Sequence, residues 1–364
     1  MAAEGQKLIE STWTLFDEIY QEAQLQTPLS RFTGYAGFTS IDQFQLHLQN
    51  NAWRLKAGMA TEPMYLAEGA AGQDQIPDNF AELYSVIAHE QVLHLLETKD
   101  KVYLGALADP KGVVNSALFC EELVGYMLNH FGHRFVLAEH TPVQQVNLMR
   151  KGAVIQCETY RVSCERVVLC TNGFTNLHIK DSSGRDLDAK FHHTIKGDVG
   201  YMSAYLEPLR DPPVGISYFG KTADANEPYY YLTRRAYEEE KSGMFNLICI
   251  GGPEQALQNL NEYQPDAAVE ERAMKDLDDF VRRTYRNAPK KISYAFQWHG
   301  LMGYTPNRIR LIGPEPCNPV LMYNLGCNGT GILASVCGGK RISEYILNKT
   351  LPPSIFDPRD MRCA

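Results

Sequence analysis

Several signatures are missing from these 364 residues, and each absence closes a class of function. No apolar run reaches the ~18 residues of a membrane-spanning helix, and the N-terminus lacks the basic-then-apolar order of a secretory signal. Lys and Arg total 35 against 43 Asp and Glu, a net charge of −8, so the basic stripe of a nucleic-acid binder is wanting too. The nine cysteines stand singly, without a CxxC pair or a ladder of disulfide spacings, which fits a reduced, cytoplasmic setting. There is no GxSxG elbow of a hydrolase, no internal repeat and no low-complexity stretch. What is present is the composition of an ordinary soluble enzyme, 44% hydrophobic with 20 tyrosines, and a length that allows two domains with separate cores.

Two tempting motifs fail on chemistry. Gly215-Ile216-Ser217-Tyr218-Phe219-Gly220-Lys221-Thr222 satisfies the Walker A letters. Its interior is strand-forming, however, and Pro228 and three tyrosines follow where a phosphate loop needs a helix. His89-Glu90-Gln91-Val92-Leu93-His94 approximates a zinc-protease helix, but its second His falls at i+5, so the imidazoles diverge. No metal is expected.

The chain is organised around Asn324-Leu325-Gly326-Cys327-Asn328-Gly329-Thr330-Gly331-Ile332. Val320 to Asn324 reads as a strand, the glycines as a turn, and a helix follows through Ile346. Gly326, Gly329 and Gly331 remove side chains where backbone approaches something closely, and the open N–H groups of the helix suit a negatively charged or electron-accepting group. A tight turn packed for its own sake is the alternative. Upstream stand Gln297-Trp298-His299-Gly300-Leu301-Met302-Gly303-Tyr304-Thr305-Pro306-Asn307 and a short strand, Ile309 to Gly313.

This order resembles the C-terminal end of the FAD-dependent oxidoreductases of the D-amino-acid oxidase type, a family that includes glycine, sarcosine and gamma-glutamylputrescine oxidases. The resemblance covers most of the chain from about residue 30 onward. It implies a mixed α/β fold with a partial Rossmann-like FAD-binding domain (1–30, 111–189 and 294–350), an antiparallel-sheet substrate domain (31–110 and 190–293) and an irregular tail (351–364). It also implies FAD stacked beneath Trp298, Gly300, Gly303 and Thr305. The pyrimidine ring would lie at the N–H groups of Gly329, Thr330, Gly331 and Ile332, in a turn shaped by Gly326 and Asn328. Val143 would lie against the adenine, with Thr171, Asn172 and Gly173 near the phosphates. Family members with covalent FAD use a cysteine where this chain has Gly300, so attachment is expected to be non-covalent. The implied reaction is oxidation of the C–N bond of a small-molecule amine or amino acid, with reoxidation by oxygen.

The chain departs from the family in one respect. The opening strand, GxGxxG turn and helix that hold the pyrophosphate are not found. The chain therefore reads as starting after that unit, which leaves open a flavin-free, catalytically silent protein. An incomplete parallel sheet and a partly uncovered helix over 115–130 would follow from this.

Elsewhere, periodicity predicts helices over 1–30, 41–56, 79–98, 115–130 and 266–287. The 115–130 helix carries Leu118, Leu123, Val124, Met127 and Leu128 as its apolar stripe. Strands are expected at 134–138, 142–149, 153–159, 167–170, 201–207, 216–219, 229–235 and 244–250. For a substrate carboxylate, Tyr229 to Arg235 offers tyrosines and arginines. Tyr230, Leu232 and Arg234 share one face, and Tyr231, Thr233 and Arg235 the other. Tyr230 and Arg234 are the chosen candidates, with His299 to tune the amine's protonation. A solvated edge strand and a structural histidine are the competing readings.

Overall fold

The computed structural model describes residues 2–182, 194–220, 230–239, 243–259 and 262–359. The amphipathic opening forms α1 (Ala2–Glu22), whose Phe16 is buried and stacks on Phe119. After β1 (Ser30–Phe38) comes α2 (Ile41–Lys56), begun where the Ser40 hydroxyl accepts the Gln43 amide and ended with Arg54 and Lys56 favourably placed on the helix dipole. Phe44 and Leu48 of α2 close a core with Phe38, Met64 and Leu66.

The expected helix over 79–98 is broken. Residues 78–83 form a 3-10 turn, β3 (Ser85–Ile87) pairs in parallel with β2 (Met64–Ala67), and only α3 (His89–Leu95) is α-helical. Tyr84 and Ala88 are extended and Val86 is exposed, so Leu83, Val86, Ile87 and Leu93 share no helical face. β4 (Gly105–Val113) then runs antiparallel to β1.

Asn115 caps α4 (Ser116–Phe131) by accepting the Leu118 amide. The apolar stripe is not buried as a whole. Phe119 is the buried residue of this helix, while Leu118 and Leu128 are exposed, in keeping with the uncovered face expected. Residues 134–138 form no strand. Five short strands follow: β5 (Val143–Met149), β6 (Gly152–Cys157), β7 (Arg161–Cys164), β8 (Val167–Leu169) and β9 (His178–Asp181). Four of them make a sheet of order β7-β6-β5-β9, and β8 leaves it for another.

The long strands β10 (Lys196–Pro208), β11 (Val214–Tyr218), β12 (Tyr230–Glu239) and β13 (Gly243–Ala256) precede α5 (Glu271–Thr284) and β14 (Tyr294–Tyr304). They complete a nine-stranded, mostly antiparallel sheet of order β14-β10-β13-β12-β11-β1-β4-β2-β3. Strand alternation gives it two faces. One face sets Tyr205, Ile216, Tyr218, Leu232, Ile248 and Ile250 against Leu277, Phe280 and Val281 of α5, whose apolar stripe is buried as its period demands. By register, the other face carries Tyr231 and Thr233 of β12, Met202 of β10, and Phe296, Trp298, Gly300 and Met302 of β14.

β15 (Leu311–Pro314), β16 (Leu321–Leu325) and α6 (Ile332–Ile346) close the described chain. β16 pairs in parallel with β8, Leu321 opposite Val167, so the two apolar runs share one sheet as expected. That sheet, β15-β16-β8, has three strands rather than the six of a full dinucleotide fold. Seven of the described cysteines are free, but Cys317 is disulfide-bonded, against the wholly reduced set expected.

Candidate functional site

Three turns meet at the end of β14. Asn172, in the left-handed region at φ 51°, donates from Nδ2 to the Leu301 carbonyl at 3.0 Å and accepts the Gly303 amide at 2.8 Å. On the other side Asn328, also left-handed at φ 49°, donates its amide to the Gly303 carbonyl. Its carboxamide oxygen accepts both the amide and the hydroxyl of Thr305. The contact is so close that a Cβ on Gly303 would lie 2.7 Å from the Asn172 carbonyl oxygen, and one on Gly326 2.7 Å from Thr305 Cγ2. Glycine at these positions is a packing requirement.

Beyond the clasp the surface opens. A Cβ on Gly300 would meet nothing within 4 Å, and Trp298 and Phe296, two residues apart on the same face, are 39% and 41% exposed. Ile332, the first residue of α6, is exposed as well. The start of α6 has Gly331 as its N-cap, with no side-chain cap and no acidic residue in its first turn, so its leading N–H groups lack a side-chain acceptor. Thr171 Oγ1 is buried without a hydrogen-bond partner. Thr171, Asn172, Gly173, Gly300, Gly303, Thr305, Gly326, Asn328, Gly329, Thr330, Gly331 and Ile332 thus belong to three chain segments that adjoin here. Val143 stands apart, opposite Cys157 at the start of β5.

The three proposed catalytic side chains are placed differently. Arg234 is 1% exposed and grips Glu97 with two guanidinium nitrogens at 2.6 and 2.8 Å, Tyr285 Oη at 2.9 Å and the Pro212 carbonyl at 2.9 Å. All three guanidinium nitrogens are thus taken up by partners in the core. Tyr230 lies on the same side, its ring stacked at 4.0 Å on Phe280 of α5. His299 also faces away from Trp298; its Nε2 bonds to the Ala267 carbonyl and its ring meets Tyr201 and Tyr263. Tyr230, Arg234 and His299 therefore lie on the side of the sheet opposite Trp298. Tyr231 and Thr233 share the side of Trp298, and Tyr231 lies flat over Gly251, where an added Cβ would strike its ring.

The rejected motifs are accounted for. Gly215 to Tyr218 lie in β11, and Lys221 and Thr222 fall outside the described residues. His89 bonds to the Tyr103 carbonyl while His94 meets Arg286, so the pair does not converge. One residue of the site passed unnoticed in the sequence. Arg310 is buried beneath the first turn of α6, its Nη2 donating to Asn324 Oδ1 and Ser335 Oγ.

A broad antiparallel sheet thus stands beside a parallel strand–turn–helix unit, with an uncapped helix start near their junction. Residues 48–345 match the model of the DAO family, described as FAD dependent oxidoreductase, and the chain belongs to that family, whose cofactor is FAD. No curated protein matches. Among solved structures, glycine oxidase from Geobacillus kaustophilus is similar at 14% identity and a TM-score of 0.64, covering 97% of this chain and 81% of that one. L-proline dehydrogenase from P. horikoshii is similar at 15% identity and a TM-score of 0.63, covering 96% and 81%. The reduced L-alpha-glycerophosphate oxidase from Mycoplasma pneumoniae, with FAD bound, gives 10%, 0.63, 97% and 81%. At these identities the likeness is one of fold. Among the described residues no helix is long and apolar enough to cross a membrane.

Proposed function

We propose that this protein oxidises the CH–NH bond of an amine or amino acid, with non-covalently held FAD and with oxygen as final acceptor. The observation that carries this is the junction itself. Two left-handed asparagines fix the end of β14, so that an open ledge at Trp298 and Gly300 and the uncapped start of α6 border the same site. A ledge left free by glycine suits a flat ring, and uncapped N–H groups with the orphaned Thr171 hydroxyl suit anionic and polar parts, so the residues fit FAD. When bound, FAD supplies the two-electron acceptor for a hydride.

In this reading the N–H groups of Gly331 and Ile332 receive the pyrimidine edge, the Thr330 amide being held by the Cys327 carbonyl, while Thr171 to Gly173 border the phosphates and Val143 the adenine. Tyr231, whose hydroxyl donates to Met202 Sδ at 3.4 Å, and Thr233 face the substrate on the Trp298 side, and Met302 adds apolar surface there. Two of the fold neighbours are named for amino acids, glycine and L-proline, which favours a C–N donor.

The test is titration of the apoprotein with FAD, followed by visible absorption. Bleaching of bound flavin by amines or amino acids without air, and return of colour on aeration, is the expected result. Acid precipitation should leave the pellet colourless, since Gly300 offers no nucleophile; yellow in the pellet would show covalent attachment. A flavin-free, catalytically silent protein is the second reading. Failure to bind FAD at all would select it.

A further inference from the structure

Arg310 is 6% exposed, yet its Nε and Nη1 have no hydrogen-bond partner. Nη2 reaches only neutral oxygens, Asn324 Oδ1 at 3.1 Å and Ser335 Oγ at 2.9 Å, and none of the described carboxylates pairs with it. Burial pulls its pKa down, and the groups that oppose this are the thiols of Cys327, Cys170 and Cys337. A buried guanidinium without a counter-charge is costly, and proteins pair or neutralise such groups. The contrast with Arg234, which meets Glu97 through two nitrogens, is internal to this molecule.

The surroundings indicate where the missing anion belongs. Ser335 is in the first turn of α6, the turn that no side chain caps. Cys170 ends the apolar run of β8 and precedes Thr171, whose hydroxyl is the other orphan here. The guanidinium thus lies near Cys170, next in sequence to the orphaned Thr171, at the carboxyl ends of the parallel strands β8 and β16, where ligands of open α/β sheets bind.

We propose that Arg310 is a diphosphate-binding residue, taking the pyrophosphate of the dinucleotide cofactor. This rests on the FAD reading above but is tested apart from it. A permanent positive charge calls for a permanent negative one. The oxidised flavin ring is neutral, whereas the diphosphate is always charged, and an arginine fork matches phosphate oxygens.

The test compares wild type with Arg310→Met and Arg310→Lys, titrated with inorganic pyrophosphate, ADP, riboflavin and FAD, with melting curves of the ligand-free proteins alongside. Arg310→Met should weaken pyrophosphate, ADP and FAD by about tenfold or more, leave riboflavin within about twofold, and keep or raise the ligand-free Tm because an unpaired buried charge is gone. Arg310→Lys should retain part of the affinity. A lowered ligand-free Tm with unchanged pyrophosphate and ADP binding would overturn the proposal in favour of a packing role. Weakened FAD and riboflavin with ADP unchanged would overturn it in favour of the flavin ring. Wild type that binds neither pyrophosphate nor ADP overturns it outright. Wild type that binds both through Arg310 but not FAD upholds it and removes the oxidase reading.

Discussion

Asn328 holds Thr305 with a single carboxamide oxygen, which accepts the backbone amide at 2.9 Å and the hydroxyl at 3.2 Å. The contact depends on the left-handed backbone of Asn328, a conformation that asparagine tolerates and β-branched residues resist. Asn328→Gly should keep the turn and lose the clamp, costing about 1 kcal/mol of stability and weakening FAD retention. Asn328→Val should cost about 1–2 kcal/mol more through backbone strain. Thermal denaturation with and without FAD measures both, and a Gly variant indistinguishable from wild type would show that the clamp contributes nothing.

Tyr231 and Tyr230 are neighbours on opposite faces of β12. Tyr231→Phe removes a hydroxyl from the Trp298 side and should raise KM for a carboxylate-bearing substrate several-fold, on the order of the 1 kcal/mol of one hydrogen bond. Tyr230→Phe keeps the stack on Phe280 and should leave kinetics unchanged. Steady-state kinetics of the two variants decide which face of β12 meets substrate.

Arg234 supports the fold. Arg234→Ala would leave Glu97 without its partner at the edge of the core and should destabilise by about 3–5 kcal/mol. KM per folded molecule should stay constant. A normal Tm with a greatly raised KM would restore the substrate-binding role that the sequence suggested.

His47 sets a pH dependence. Its ring packs 4.7 Å from Phe38 and 5.9 Å from Phe219, and burial lowers its pKa below the ordinary 6.5. The unfolded chain therefore binds this proton more readily, and stability is lost as pH falls from 6.5 through the lowered folded value. His47→Phe should flatten that slope while keeping the aromatic packing. Melting curves across this acid range test it, and parallel slopes for the two proteins would refute it.

Local pattern made much of this fold legible. α2 lies over the residues expected, α5 buries Ala273, Leu277, Phe280 and Val281 as its period demands, and β8 and β16 pair. The stretch 79–98 was misleading because β3 forms by pairing with a strand some twenty residues earlier, a contact that a helical period does not encode. Arg310 was missed for a similar reason. Beside Arg308 in a short segment it looks like surface charge, and only its burial beneath α6 gives it meaning.

The sequence by itself determined where α2 and α5 lie, the glycine-dense strand–turn–helix and the family. It also determined that Tyr230 and Arg234 must share one face and Tyr231 and Thr233 the other, because strand alternation has a period of two. Which of those faces lies against α5 was decided only by the pairing of β12 within the nine-stranded sheet and by the apolar stripe of α5 that covers one side of it. That cover buried Arg234 against Glu97 and left Trp298 open, because the larger apolar surface was gained on the face of Leu232, Ile248 and Ile250.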